Sequence, residues 1–224
     1  MALTTQLAQS QIELKGFCLG DDPVIGERLE QIDNDETPFA SADGLRFCLE
    51  NVLRHKLIGP TLTSFFDRFD QFGFGLYRSF SARPGCYIFA ESEPEAAAVC
   101  LVVRLINKGS TILVWEASHR HKLPSIQGEN KLLLVPKAKL KELKNKEVTS
   151  ITHTFEHGGF ILMDPRTAME VIEGSTVTFA FATVDVVATW RPFKLPKSPE
   201  MDMIISEFDK LNVHVNAHYY TEQI

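Results

Sequence analysis

The chain has 224 residues, 44% of them apolar and 23% charged, and a formal net charge of −6 at pH 7. That length buries a full core in one large domain or a domain with helical extensions, and the composition is ordinary for a soluble globular chain. The acidic balance argues against a nucleic-acid partner, which needs a concentrated basic face, and no run approaches the length that crosses a bilayer.

MALTTQLAQSQIELKGF, at the start, has neither a basic leader nor a continuous apolar block, so it does not read as a signal peptide. Residues 1–41 are polar, acidic around Asp33, Asp35 and Glu36, and weakly patterned; they are expected to drape over the surface as strand and loop. Ser41 or Asp43 then caps a helix whose Leu45, Cys48, Leu49, Val52 and Leu53 follow one buried stripe. Gly59-Pro60 stops it, and Pro60 suits the first turn of a second helix carrying Leu62, Phe65, Phe66 and Phe69 on one face. Phe72, Phe74, Tyr77 and Phe80 prolong the aromatic density, which suits a helix pair glued to a sheet better than a ring-stacking pocket. FGFGLY lacks the remaining glycine and the strand-to-helix context of a phosphate loop.

From Tyr87 the character changes. CYIFA, VCLVVRLI, TILVW and KLLLV are short, rich in β-branched residues and bounded by Gly, Pro or polar clusters, which predicts sheet strands. Lys137, Lys139, Lys141, Lys144 and Lys146 make a basic loop or short helix, read as a solvated face, with an acidic-ligand patch as the lesser alternative. Val148 to Phe155 alternates, with Ile151, His153 and Phe155 on one face. Gly158-Gly159 turns the chain into a strand over Phe160–Met163, and Thr167 to Glu173 forms another. After Gly174, Val177, Phe179 and Phe181 alternate against Thr176, Thr178 and Ala180. A short helix with Val186, Val187 and Trp190 follows, then a break from Pro192 to Pro196. Ser198-Pro199 opens a longer helix with Met201, Ile204, Ile205, Phe208 and Leu211, and VHVNAHYY reads as an edge strand.

Cys18, Cys48, Cys86 and Cys100 form no Cys-x-x-Cys pair and read as buried or free thiols of a reducing compartment, an oxidised pair being the lesser alternative. The expected location is therefore cytoplasmic. Of the seven histidines, His119, His121, His153 and His157 fall in the central sheet region. His119-Arg120-His121 puts two imidazoles on one side of an extended chain, as a transition metal requires, and Glu116 or Glu129 would add a carboxylate. The neighbouring Arg120 and Lys122 oppose cation binding. His153, between Ile151 and Phe155, reads as a hydrogen-bonded core histidine. Asp164-Pro165-Arg166 is an ordinary turn starter that also offers a carboxylate and a guanidinium to a ligand at a strand end. Arg166, Asp164 and His153 are thus the candidate ligand contacts, with Arg166 foremost. No Gly-x-Ser-x-Gly elbow is present.

KGSTILVWEASHRHKL and GGFILMDPRTAMEVIEGSTVTFAFAT resemble the jelly-roll core of the phytanoyl-CoA dioxygenase-like proteins, especially small fungal members, over about a third of the chain. The first resembles a strand ending in a Gly-Ser-His-type turn, matched by Ala117-Ser118-His119. The second resembles the strand pair that presents the distal iron ligand and then an arginine for the 2-oxoglutarate carboxylate. That family holds iron with a His-x-Asp pair and a distal His. Here no His-x-Asp or His-x-Glu precedes the core, and Met169, seven residues after Leu162, stands where the distal His is expected. A thioether is a poor partner for a hard ferrous centre. His119-x-His121 is also similar to the first motif of the cupins, whose second-motif His would fall near Glu170.

The expected fold is α+β, mainly β: a double-stranded β-helix in one domain over 1–224. Within it, 1–80 is a helical N-terminal extension, 85–183 the jelly-roll core, and 184–224 C-terminal helices and an edge strand. The expected function is binding of a small organic ligand without a metal cofactor, and the resemblance implies an accessory role in fungal specialised metabolism. The alternative is an Fe(II)/2-oxoglutarate dioxygenase or cupin-type metalloenzyme with ligands rearranged from His119, His121, Glu116 and His153. A scaffold without a pocket would be indicated if bulky side chains filled the barrel.

Overall fold

A computed structural model describes residues 3–128, 132–143 and 147–221; the expectations attached to Glu129, Lys131, Lys144 and Lys146 lie outside the described residues. The chain opens with α1 (Thr5–Lys15), β1 (Phe17–Asp21), α2 (Pro23–Asn34) and α3 (Ala42–Cys48), which continues into a π-helical turn over Leu49–Leu53. α4 (Ile58–Phe65), β2 (Phe72–Ser81), β3 (Cys86–Ile88), β4 (Cys100–Ile106) and β5 (Ser110–Glu116) follow. Next come β6 (Ile126–Gln127), β7 (Leu133–Val135), α5 (Lys137–Leu143), β8 (Thr149–Phe155), β9 (Gly159–Met163), β10 (Met169–Glu173) and β11 (Ser175–Thr183). The remainder is α6 (Val184–Ala188), β12 (Phe193–Pro196), α7 (Pro199–Asp209), β13 (Val213–Val215) and β14 (Ala217–Tyr220).

The strands form two six-stranded sheets, ordered β1-β9-β4-β11-β2-β13 and β6-β7-β3-β10-β5-β8, and a small parallel pair of β12 with β14. From β2 to β5 the chain alternates between the sheets, and from β8 to β11 it winds back. Each outgoing strand pairs antiparallel with its returning counterpart: β2 with β11, β3 with β10, β4 with β9, and β5 with β8. That mirrored pairing is the double-stranded β-helix expected from the strand-like runs.

Strand alternation divides the core into three layers. Val177, Phe179 and Phe181 of β11, with Val103 and Leu105 of β4, face the helices. Val102 and Ile106 of β4 and Ala180 and Ala182 of β11 face inward between the sheets, with Ile112, Val114 and Met169 from the opposite sheet. Cys86, Ile88 and Trp115 form the outer layer of the second sheet beneath α5. All four cysteines are buried and unpaired. No helix among the described residues is long and apolar enough to cross a membrane.

Two stretches depart from their sequence expectation. Residues 5–15 and 23–34 are helices rather than strand and loop. α1 buries only Ala8 and Ile12, so its pattern is faint, yet Thr4 caps its start and Gly16 its end. In α2, Ile25, Leu29 and Ile32 do follow helical spacing behind the Asp22 cap and Pro23, but acidic and polar neighbours dilute the stripe. Phe72 to Phe80 is strand β2, so the 1–80 segment is not wholly helical. Its rings still glue helix to sheet: Phe74 lies 5.1 Å from Phe181 and 5.9 Å from Phe208.

α2 sits hard against the turn between β8 and β9. Gly158 has φ +91°, and a Cβ there would lie 2.5 Å from Gly26 Cα. Gly158→Ala therefore combines backbone strain with a clash against a helix that cannot retreat. Urea unfolding is expected to show a loss of about 2–3 kcal/mol; an unchanged midpoint would disprove this close approach.

Candidate functional site

The interior of the barrel is apolar except at one level. On β4, alternation that sends Val102 and Ile106 inward sends Arg104 inward between them. Its register partners are Thr178 on β11 and Ile161 on β9. Thr178 is in turn opposite Arg78 on β2, so Arg78, Thr178 and Arg104 form a row across adjacent strands.

Arg104 is 5% exposed. Its guanidinium carbon stands 5.5 Å from the centre of the Phe80 ring, a cation–π contact. Its Nε finds no hydrogen-bond partner among the described residues, and neither do the buried hydroxyls of Thr176 and Thr178. Burial pushes its pKa down to about 10, and among the described residues no carboxylate counters that shift. It is still a cation at neutral pH. A donor-rich positive group with adjacent hydroxyls is what a carboxylate needs.

Above this level the mouth is closed by the chain itself. Gly73 and Gly75 of β2 leave space that a Cβ would fill, at 2.9 Å from Val187 and 2.5 Å from Trp190 respectively. Val187, at 0% exposure, joins the interior cluster, and Trp190 packs on it and meets Phe89 edge-on at 5.7 Å.

The residues singled out in the sequence lie elsewhere. Asp164 and Arg166 hold each other: Oδ1 of Asp164 accepts from the Arg166 backbone N and Nε, both at 2.9 Å, and Oδ2 accepts from Nη2 at 2.7 Å. Arg166 Nη1 donates to the carbonyls of Glu93, Pro94 and Ala96 at 3.0–3.1 Å. The pair is thus a clamp on the loop after β3, and the Asp164 carboxylate raises the Arg166 pKa. Only an Nη2 N–H is left over. Arg166 does border a cavity of about 690 Å³ outside the barrel, shared with Ile88, Glu91, Glu93, His121 and Lys122.

The metal candidates do not converge. His119 is buried; its Nε2 reaches the Glu13 carbonyl at 3.1 Å, and its Nδ1 faces Gly16 at the end of α1. His121 lines the outer cavity. Glu116 pairs with Lys15 at 3.3 Å, and His153 bonds Asp21 at 3.0 Å between the edge strands β8 and β1 of the two sheets. Glu170 is on the outer layer, accepting from Gly85 and Lys137. Met169 faces the interior. Among the described residues, no three His, Cys, Asp or Glu side chains could hold a metal ion. The donors present therefore do not fit a ferrous site, which wants imidazole and carboxylate about one point.

Sequence reasoning missed Arg104. The signal was available: an arginine in the middle of VCLVVRLI, a run buried on both faces, stands where only a ligand or an acid would compensate it.

No protein-family model matches the chain, and no curated protein sequence does. Solved structures match by fold. The epimerase SnoN in complex with Fe3+, alpha ketoglutarate and nogalamycin RO is 11% identical, with a TM-score of 0.53 over 84% of this chain and 86% of its own. EctD from S. alaskensis in its apoform is 10% identical, with a TM-score of 0.53 over 98% and 88%. The non-heme alpha ketoglutarate dependent carbocyclase SnoK from nogalamycin biosynthesis is 8% identical, with a TM-score of 0.51 over 82% and 87%. At these identities the likeness shows a shared jelly-roll fold.

Two outcomes follow for stability. Arg104→Met fills similar volume without a buried charge, so thermal or urea unfolding should show a gain of about 1–3 kcal/mol; a loss would mean that the guanidinium is already satisfied. Burial lowers the His119 pKa, so the unfolded chain takes up this proton first and stability falls as pH drops through and below about 6.5. Unfolding curves between pH 7.5 and 5 should show that decline, and His119→Gln should make it shallower.

Proposed function

We propose that the chain binds a small organic carboxylate between its sheets, at Arg104, without a metal ion. The observation that carries this reading is the interior guanidinium that, among the described residues, has no acid beside it and is flanked by two threonine hydroxyls without hydrogen-bond partners. An anionic ligand would supply the missing counter-charge in a low-dielectric interior, where a charge-assisted pair is strong. SnoN, of like fold, was captured with alpha ketoglutarate together with Fe3+ and nogalamycin RO, so it supports a 2-oxo acid as the ligand class but not the absence of a metal. Arg104 replaces Arg166 as the anchoring residue, because Arg166 is committed to Asp164 and the carbonyls of the next loop.

The fold likeness to oxygenases favours a second reading, an Fe(II)/2-oxoglutarate dioxygenase with rearranged ligands. It requires His119, His121, Glu116 and His153 to leave their present partners and meet. Calorimetry with 2-oxoglutarate and succinate, with and without Fe(II) under anaerobic conditions, separates the two. The carboxylate reading expects metal-independent binding that falls at least about tenfold in Arg104→Gln, the loss of one charged hydrogen-bonding partner. Binding that appears only with iron, and stoichiometric iron in protein purified without chelator, would establish the oxygenase reading instead.

A further inference from the structure

The mouth of the barrel raises a question that Arg104 does not answer: how a ligand reaches it past Val187 and Trp190. We propose that residues 184–190 are a displaceable stopper, and that ligand entry to the interior requires them to swing out. This inference rests on the carboxylate reading above.

The span is fastened at both ends and thinly held between. Before it, Thr183 N donates to the Val99 carbonyl at 3.0 Å; after it, Phe193 N donates to the Asn216 carbonyl at 2.8 Å. Between those anchors, α6 is a helix of 5 residues, too short to be stable by itself. Besides the apolar packing of Val187 and Trp190, its hydrogen bonds to the rest of the fold, among the described residues, come from one side chain: Asn216 Nδ2 donates to the carbonyls of Val187 at 2.8 Å and Trp190 at 3.3 Å. Asp185, Ala188 and Thr189 face solvent.

The space that the stopper fills is made for an occupant. Gly73, Gly75, Ala180 and Ala182 give the mouth small side chains on both β2 and β11, while the opposite face of the same strands carries Phe. Val187 and Trp190 fill that space with side chains alone, so swinging them out exposes apolar surface, at a cost in free energy, but unmakes no strand. A closed state that must open before binding lowers apparent affinity by the open fraction.

Asn216→Ala removes both ties, and Trp190→Ala removes the bulk while leaving the ties in place. The chain has two tryptophans, so 19F spectra of 5-fluorotryptophan-labelled protein resolve Trp190 from the buried Trp115. The expected result is that Trp190 in Asn216→Ala becomes accessible to acrylamide without ligand, while 2-oxoglutarate associates faster and binds about tenfold more tightly. In the parent protein, added 2-oxoglutarate should itself shift the Trp190 resonance. If Trp190 is released but association and affinity stay at parental values, entry does not pass through the mouth; the stopper is overturned and the carboxylate reading stands. If neither the parent nor either opened variant binds 2-oxoglutarate or succinate, the carboxylate reading fails and the stopper falls with it. Should Asn216→Ala fail to fold, the same rate and affinity gains are required of Trp190→Ala, and their absence is decisive.

Discussion

A guanidinium placed between two sheets without an acid is the constraint on which this molecule turns. Desolvating a cation costs several kcal/mol, and proteins keep such groups when partners repay it. Elsewhere in the chain that rule is obeyed. Asp164 holds Arg166, Glu170 holds Lys137, and Asp22 meets His55 at 3.1 Å. Among the described residues, Arg104 meets the face of Phe80 and no carboxylate. A fold that gives buried Arg166 and Glu170 charged partners, and gives Arg104 none among the described residues, has given up stability at one point, which is where binding chemistry is expected.

The same strands that deliver this charge also shape the space above it. Because side chains alternate, one sequence writes two surfaces: the phenylalanines of FGFG and FAFAT cement the helical layer, while the glycines and alanines between them present small side chains to the interior. Depth along β11 then sets character, from alanines near the mouth to threonines beside Arg104. The buried charge and the small side chains above it are thus both products of register. A slip of one residue would exchange the two faces and destroy both.

Much of this was legible in the chain. The runs from Cys86 to Val135 and the alternation of Val177, Phe179 and Phe181 announced strands, and the jelly roll was expected from the resemblance of two segments; the mirrored pairing itself came only with the structure. The helices over 5–15 and 23–34 were not legible, because two or three buried positions among acidic neighbours leave little periodicity. The side-chain partners of the candidate site residues were not legible for a different reason. Arg166, Asp164 and the histidines are conspicuous as residue types, but reactivity depends on what each side chain is already bonded to, and spacing alone does not report that. Arg104 was inconspicuous because it sat inside a hydrophobic run and was read with it.

The placing of Asn216 gives the barrel an order of completion. It follows β13, which lies parallel to β2 in a register that pairs Val215 with Phe74, and its backbone N donates to the Phe74 carbonyl. The lock on the mouth thus comes from far downstream of the strands that form it. On a ribosome, where earlier segments emerge first, β2 to β11 can assemble while this lock is still inside the exit tunnel. Pairing of β2 to β11 therefore does not depend on Asn216, which can tie down Val187 and Trp190 only after those strands are out.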